Sequence, residues 1–257
     1  MQLNVLAIGD VVGTPGLEFL QQKLRAARRN FHVDFCIVNG ENASMNGISA
    51  RQAEAILDAG ADVITLGNHT FGNRSICDTL DDSPYVLRPA NYAPQLPGRG
   101  WGIYETSAGP LAVINLIGRC NMDFAPDNPF LQIDRILQKA ATKLTVLDFH
   151  AEATSEKLAM GYLLDGRVSA VYGTHTHVPT ADCRILPKGT GYRTDIGMTG
   201  PWQSVLGIRP EQSIAKFRGD LTARYEAADG PCVMQGTLFT LDARTGHCVE
   251  IQPIEIF

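Results

Sequence analysis

Short β-rich apolar runs alternate with segments of helical periodicity through the first two thirds of the chain, the pattern of successive βαβ units. Residues 3–8 predict a strand and 9–16 a loop, and a helix then runs to about Asn30. In that helix Leu17, Leu20, Leu24 and Ala27 share one face, Glu18 falls in the first turn, and Arg25, Arg28 and Arg29 sit in the last, where the helix dipole favours them. A strand over 35–38 leads into the polar loop Asn39-Gly40-Glu41-Asn42. Ser49 and Gln52 have the spacing of a capping box for a helix that stops at Gly60, and 63–66 predicts the next strand. Further on come a short helix near 74–80, a strand pair over 103–106 and 111–116 turning at Ala108-Gly109-Pro110, and a helix opened by Asn128 and Pro129 that runs to about Ala141. Residues 144–149 and 168–172 predict strands, with a helix over about 155–164 between them.

The last third changes character. Residues 184–195 are turn-rich, 210–218 predict a helix, and 233–241 with 248–256 predict a terminal hairpin turning at 242–246. The expected architecture is one α/β domain over 1–257 with mixed sheets, βαβ units first and antiparallel strands after, and a small cap around 184–230.

Composition limits the setting. The chain is 44% apolar and 19% charged with a net charge of −5, ordinary for a soluble globular protein. It shows no basic stripe, so no long nucleic-acid groove is expected. No apolar run approaches the roughly 20 residues that cross a bilayer, and Met1-Gln2-Leu3-Asn4 lacks the basic start of a signal peptide. A cytoplasmic protein with no membrane partner is the expectation. Six scattered cysteines without a C-x-x-C pair read as small buried hydrophobes in a reducing compartment.

The candidate chemistry collects at strand ends. Asp10, Glu41, Asn68-His69, His150 and His175-Thr176-His177 each follow an apolar run within a few residues. Carboxyl ends of parallel strands converge on the ligand crevice of α/β folds, which brings these donors together across more than 160 positions. Oxygen and imidazole donors without thiolate suit Mn, Fe or Zn, and their number suits two ions sharing a carboxylate. His32 and His247 read as structural, and no G-x-G-x-x-G opens a helix.

These blocks resemble the calcineurin-like metallophosphoesterases through Gly9-Asp10, Gly67-Asn68-His69, His150 and Gly173-Thr174-His175-Thr176-His177. More narrowly, the stretches 8–13, 39–43, 148–157 and 195–201 resemble the YmdB subfamily over essentially the whole chain. The resemblance implies a layered α/β/β/α sandwich with mixed sheets. It implies Asp10, Glu41 and His177 on one metal, Glu41, Asn68, His150 and His175 on the other, and Asn42 near the first, in place of the superfamily histidine for which this chain has Val12. Fe or Mn is expected, divalent or mixed-valence, with Zn as a further candidate. The implied reaction is hydrolysis of small phosphodiesters, 2′,3′-cyclic nucleotides above all, by a hydroxide bridging the ions with His69 as general acid. Thr70 stands where the superfamily commonly has an acidic residue that orients this histidine, which leaves the partner of His69 open. Arg119 and the loops around Asn46, Glu152 and Thr199 are candidates for substrate contact, but loop-capping roles are preferred and no substrate residue is assigned. A regulatory protein that binds nucleotide or RNA ends with little turnover is the alternative, and a two-ion hydrolase of C–N or C–O bonds a third reading. A homo-oligomer is compatible with all three.

Overall fold

In the computed structural model, which describes residues 1–122, 126–220, 222 and 224–257, alternate residues of the first strand enter two different apolar layers. Strand β1 (Gln2–Ile8) sends Leu3, Val5 and Ala7 between two sheets and Leu6 and Ile8 under a layer of helices. A strand covered on both faces reads as a continuous apolar run, as this one does from Val5 to Ile8.

The elements that follow are β2 (Asp10–Val11), α1 (Gly13–Asn30), β3 (Phe35–Asn39), α2 (Ala50–Ala59), β4 (Val63–Thr65), α3 (Ile76–Asp82), β5 (Val86–Leu87), β6 (Trp101–Thr106), β7 (Gly109–Ile117) and α4 (Pro129–Ala140). After these come β8 (Leu144–His150), α5 (Thr154–Leu164), β9 (Ala170–Thr174), β10 (Arg184–Ile185), β11 (Gly191–Arg193), β12 (Met198–Pro201), α6 (Pro210–Phe217), β13 (Cys232–Asp242) and β14 (Cys248–Ile256). The first sheet has the order β2-β12-β13-β1-β3-β4-β5 with β14 also paired to β13; the second runs β10-β11-β9-β8-β7-β6. Both are mixed: β1, β3, β4 and β5 are parallel, as are β7, β8, β9 and β11, whereas β13, β6 and β10 join antiparallel.

Three apolar layers set the sheets one over the other. Val5, Ile37 and Val63 of the first sheet meet Val113, Val146 and Tyr172 of the second. On the outside of the first sheet, Ile8, Val38 and Ile64 pack against Leu20 and Leu24 of α1 and Ile56 of α2. On the outside of the second, Leu116, Leu147 and Val171 pack against Ile133 of α4 and Met160 and Leu164 of α5. This is the layered α/β/β/α arrangement with mixed sheets that the sequence resemblance implies.

The capping box at Ser49 and Gln52 is formed, and Gly60 ends α2 in the left-handed conformation. Asn128 caps α4 with Pro129 at its start. Helix α1 begins at Gly13, earlier than its loop-like residues suggest, because Pro15 lies in the first turn, where no intrahelical N–H is needed. Glu18 is therefore beyond the first turn, a correction to its expected place at the helix start. The strand pair turns at 107–108, before Gly109. Residues 184–201 enter both sheets through β10, β11 and β12, and 202–230 lie beyond them; positions 221 and 223 of the expected cap fall outside the described residues. Among the described residues all six cysteines are free thiols, and no helix is long and apolar enough to cross a membrane.

Candidate metal centre

The predicted donors stand at the carboxyl ends of β1, β3, β4, β8 and β9, all of them parallel strands of the two sheets. His150 closes β8, and its ring is fully buried. Its Nε2 lies 3.0 Å from Glu41 Oε1, 3.0 Å from Asn68 Oδ1 and 3.1 Å from His175 Nδ1. Four donor atoms thus converge on one point.

The tautomer of His150 follows from its other side. Thr174 Oγ1 donates to Asp148 Oδ1 at 2.7 Å and lies 2.8 Å from His150 Nδ1, so the hydroxyl accepts the Nδ1 proton and Nε2 faces the cluster. Asp148 also accepts from Thr65 Oγ1 at 2.5 Å. His175 is oriented in the same manner: Glu152 lies 3.2 Å from its Nε2, leaving Nδ1 for the cluster. Sequence reasoning misses Asp148, Thr174 and Glu152 as ring-orienting residues, although one signal is present: Asp148 is two residues before His150 on a strand and so shares its face.

Beside this group, Asp10 Oδ1 is 3.6 Å from His177 Nε2. His175 and His177 have φ of 99° and 61°, so the segment that carries the two rings is a turn and not an extended strand. His177 Nδ1 donates to the Leu206 carbonyl at 3.0 Å, which leaves Nε2 for the centre. Asn42 joins the two halves. Its Nδ2 is 3.1 Å from His177 Nε2, 3.3 Å from Glu41 Oε1 and 3.5 Å from Asp10 Oδ1, while its Oδ1 is 2.8 Å from His69 Nδ1. Asn42, expected beside the first metal, is therefore also the partner of His69. Thr70 instead closes the preceding turn, donating to the Gly67 carbonyl at 2.6 Å.

This donor set fits a pair of oxygen- and nitrogen-loving cations: three imidazoles, two carboxylates and the Asn68 amide oxygen, with no thiolate. Glu41, His150 and His175 present ligand atoms all within 4.8 Å of one another. The backbone leaves room for them at Gly67, where a Cβ would stand 2.3 Å from both Glu41 Oε2 and His150 Nε2.

Charge in the cluster is strongly coupled. Burial opposes ionisation of Asp10 and Glu41, but His177 and His150 outweigh it and hold both carboxyls below their usual range. Burial likewise opposes the charged form of His150, yet Glu41, Asp10 and Asp148 raise it to about 9. His177 is raised as well, by Asp10, whereas burial and the neighbouring His150 hold His175 down to about 3. Burial lifts Asp148 to about 6. A cation taking His150 Nε2 must displace a proton that this nitrogen keeps below about pH 9. Titration with Mn²⁺ at pH 7 in buffers of different ionisation enthalpy is expected to show about one proton or more released per centre, with apparent affinity falling as pH drops. Proton-neutral binding at pH 7 would contradict this charge arrangement.

A cavity of about 380 Å³ opens on the donors. Its polar lining comes from Asn42, His69, Glu152, His175, Thr176 and His177, and the rest from Val12, Met45, Val178, Leu206, Ile208 and Tyr225. Larger hollows of about 610 and 590 Å³ lie near Met1 and near Trp101, away from any of these groups. Of the other candidates for substrate contact, Arg119 is exposed with its backbone N–H held by Glu156, Asn46 packs against Gly72, and Thr199 is buried in β12; only Glu152 reaches the cavity.

Known proteins are similar to this chain over its whole length. The family described as YmdB-like protein matches residues 6–254. The 2′,3′-cyclic-nucleotide 2′-phosphodiesterase of Bacillus subtilis (strain 168) is 44% identical over 259 residues, covering 99% of this chain and 97% of its own. The crystal structure of a phosphatase from Mycoplasma pneumoniae superposes with a TM-score of 0.94 at 33% identity, covering 100% of this chain and 94% of that one. A crystal structure from Thermus thermophilus, described as that of a hypothetical protein, gives 0.92 at 39% identity, with 99% of both chains covered.

Proposed function

The chain belongs to the YmdB-like family of calcineurin-like metallophosphoesterases, and from that membership and the geometry of its strand ends we propose a two-metal phosphodiesterase that hydrolyses small phosphodiesters, 2′,3′-cyclic nucleotides first among them. It is a phosphoric ester hydrolase of the phosphodiesterase and phosphatase kind. The observation that carries the two-metal reading is the convergence of Glu41, Asn68 and His175 on His150 Nε2, with Asp10 and His177 paired alongside.

In this reading Asp10, Glu41 and His177 would hold one cation, with the Asn42 amide beside them, and Glu41, Asn68, His150 and His175 the other, with Fe or Mn the occupants. When bound, the two cations supply an acidified water for in-line attack and positive charge against the phosphoryl oxygens. The protein supplies the rest. Thr174 and Glu152 fix the imidazole tautomers, His69 held by Asn42 hands a proton to the departing oxygen, and the 380 Å³ cavity seats the organic part of the ester. Residues 1–257 then act as one catalytic domain in which part of 202–230 lines the cavity through Leu206, Ile208 and Tyr225. An aromatic ring on that wall suits stacking of a nucleobase.

The test is turnover of 2′,3′-cyclic AMP by protein stripped with a chelator and reloaded with Mn²⁺ or Fe²⁺. Activity is expected only after reloading. Tyr225→Ala is expected to raise KM by the equivalent of about 1–3 kcal/mol of lost stacking, with kcat less affected. Turnover that survives chelation would exclude the metal mechanism, and an unchanged KM would remove Tyr225 from the base site.

A further inference from the structure

Lys157 and Asp195 form an ion pair of 2.7 Å with both side chains only 1% exposed. Neither is a candidate ligand. A buried pair of this kind is weak as a stabilising device, since apolar residues of similar volume often replace one without loss. What distinguishes Asp195 is where its remaining lone pairs go. Oδ2 accepts the Thr176 N–H at 3.1 Å, and Oδ1 accepts the Gly197 N–H at 3.0 Å.

Each of those N–H groups belongs to a segment that carries or braces a ligand of the Asp10–His177 half. Thr176 lies between His175 and His177, two non-glycine residues at positive φ, a conformation that persists only when its surroundings hold it. Gly197 packs on the strand end of Asp10: a Cβ on Gly9 would stand 2.0 Å from the Gly197 oxygen, and Met198 is in parallel register with Asp10. Lys157 comes from α5 and passes its stem beneath Gly173, where a Cβ would lie 2.8 Å from Lys157 Cδ and Cε. The side chains of the half built round His150 have supports of their own, although the His175 N–H also donates to Asp10 Oδ2 at 3.3 Å. Glu41 N–H donates to Asn39 Oδ1 at 3.1 Å, Thr174 holds His150 and Glu152 holds His175.

We propose that Asp195, neutralised by Lys157, is a positioning residue for the Asp10–His177 half of the centre, and that it sets the cation affinity of that half independently of the half built round His150. The inference rests on the two-metal reading above. Its logic is that one carboxylate clamps the two backbone segments whose separation fixes the distance from Asp10 to His177.

The experiment compares Lys157→Met/Asp195→Leu with Lys157→Met/Asp195→Asn in the full-length chain. Both remove the buried charges, but only the asparagine keeps an oxygen that accepts one of the two N–H groups. Mn²⁺ stoichiometry and the affinity of each site are read by calorimetry, and electron paramagnetic resonance distinguishes coupled Mn pairs from single ions. Wild type is expected to bind two Mn²⁺ with a coupled signal. The leucine variant should weaken one site by about 10–100-fold, leave the other unchanged and show single-ion signals at equimolar loading, with kcat recovering at high Mn²⁺. The asparagine variant should weaken the same site by a smaller factor, and it carries the test if the leucine variant does not fold. Two sites of wild-type affinity in either folded variant, or two sites weakened alike, overturns the proposal. A wild-type protein that binds fewer than two Mn²⁺ overturns the two-metal reading instead.

Discussion

His69→Ala is expected to lower kcat for a cyclic nucleotide by about 10²–10⁴-fold while leaving the two-cation stoichiometry intact, because the residue is assigned to proton transfer and not to metal binding. Its ring lines the cavity, and Nδ1 is 2.8 Å from Asn42 Oδ1, so the amide oxygen takes one ring proton and orients the other nitrogen toward a leaving group. The His69 N–H donates to Glu41 Oε2 at 3.1 Å, and alanine retains this bond, losing only the longer 3.6 Å contact of the ring with Glu41 Oε1. A further comparison separates a general acid from a structural residue. With a p-nitrophenolate leaving group, which departs without a proton, the loss should shrink toward unity, whereas an alkoxide leaving group should show it in full. An equal loss for both substrates, or a loss of Mn²⁺ equivalents, would rule out the acid role. Asn42→Ala should reproduce part of the effect by releasing the ring.

The candidate donors were legible in the sequence because each closely follows a mostly apolar run, and such a run is a strand covered on both faces. Asp10, Glu41, Asn68, His150 and His177 are therefore located by their neighbours more than by their own identity. The residues that aim them were harder to find. Asp195 acts on Thr176 from 19 positions away and Glu152 on His175 from 23, and no periodicity relates the members of such a pair. Asn42 has an amide that serves as donor and acceptor at once, so its sequence position near Glu41 suggested a metal contact without suggesting that its oxygen would reach His69. The short strands β2, β5 and β12 escaped for another reason. Two to four residues are too few to show an alternating pattern, and β2 and β12 exist through their pairing with each other and with β13. The start of α1 was hidden by Gly13, Pro15 and Gly16, residues that read as a loop but that a helix tolerates in its first turn.

Gly67→Ala is expected to disable the centre while the fold survives. The backbone there is compatible with alanine, since only its surroundings object: the added Cβ would stand 2.3 Å from Glu41 Oε2 and 2.3 Å from His150 Cδ2 and Nε2. Neither group has room to retreat. Both side chains are fully buried, Glu41 is tied to the His69 N–H and His150 is locked by Thr174. Relief by displacement moves the shared carboxylate and a ring nitrogen together, so both cations lose a ligand geometry at one stroke. A rise of at least about 10–100-fold in the Kd for Mn²⁺ is the lower bound, being the effect of disturbing only the groups that orient ligands. Thermal melts give the cleanest readout. With Mn²⁺ at 100 times Kd, each occupied wild-type site adds about 2.7 kcal/mol, or roughly 5–10 °C in a chain of this size. The variant should show a native far-UV spectrum but little or no Mn²⁺-induced shift at the same concentration, and turnover below that of His69→Ala. A full Mn²⁺ shift with wild-type kcat would mean that Gly67 does not wall the centre and that Glu41 and His150 move freely where the packing says they cannot.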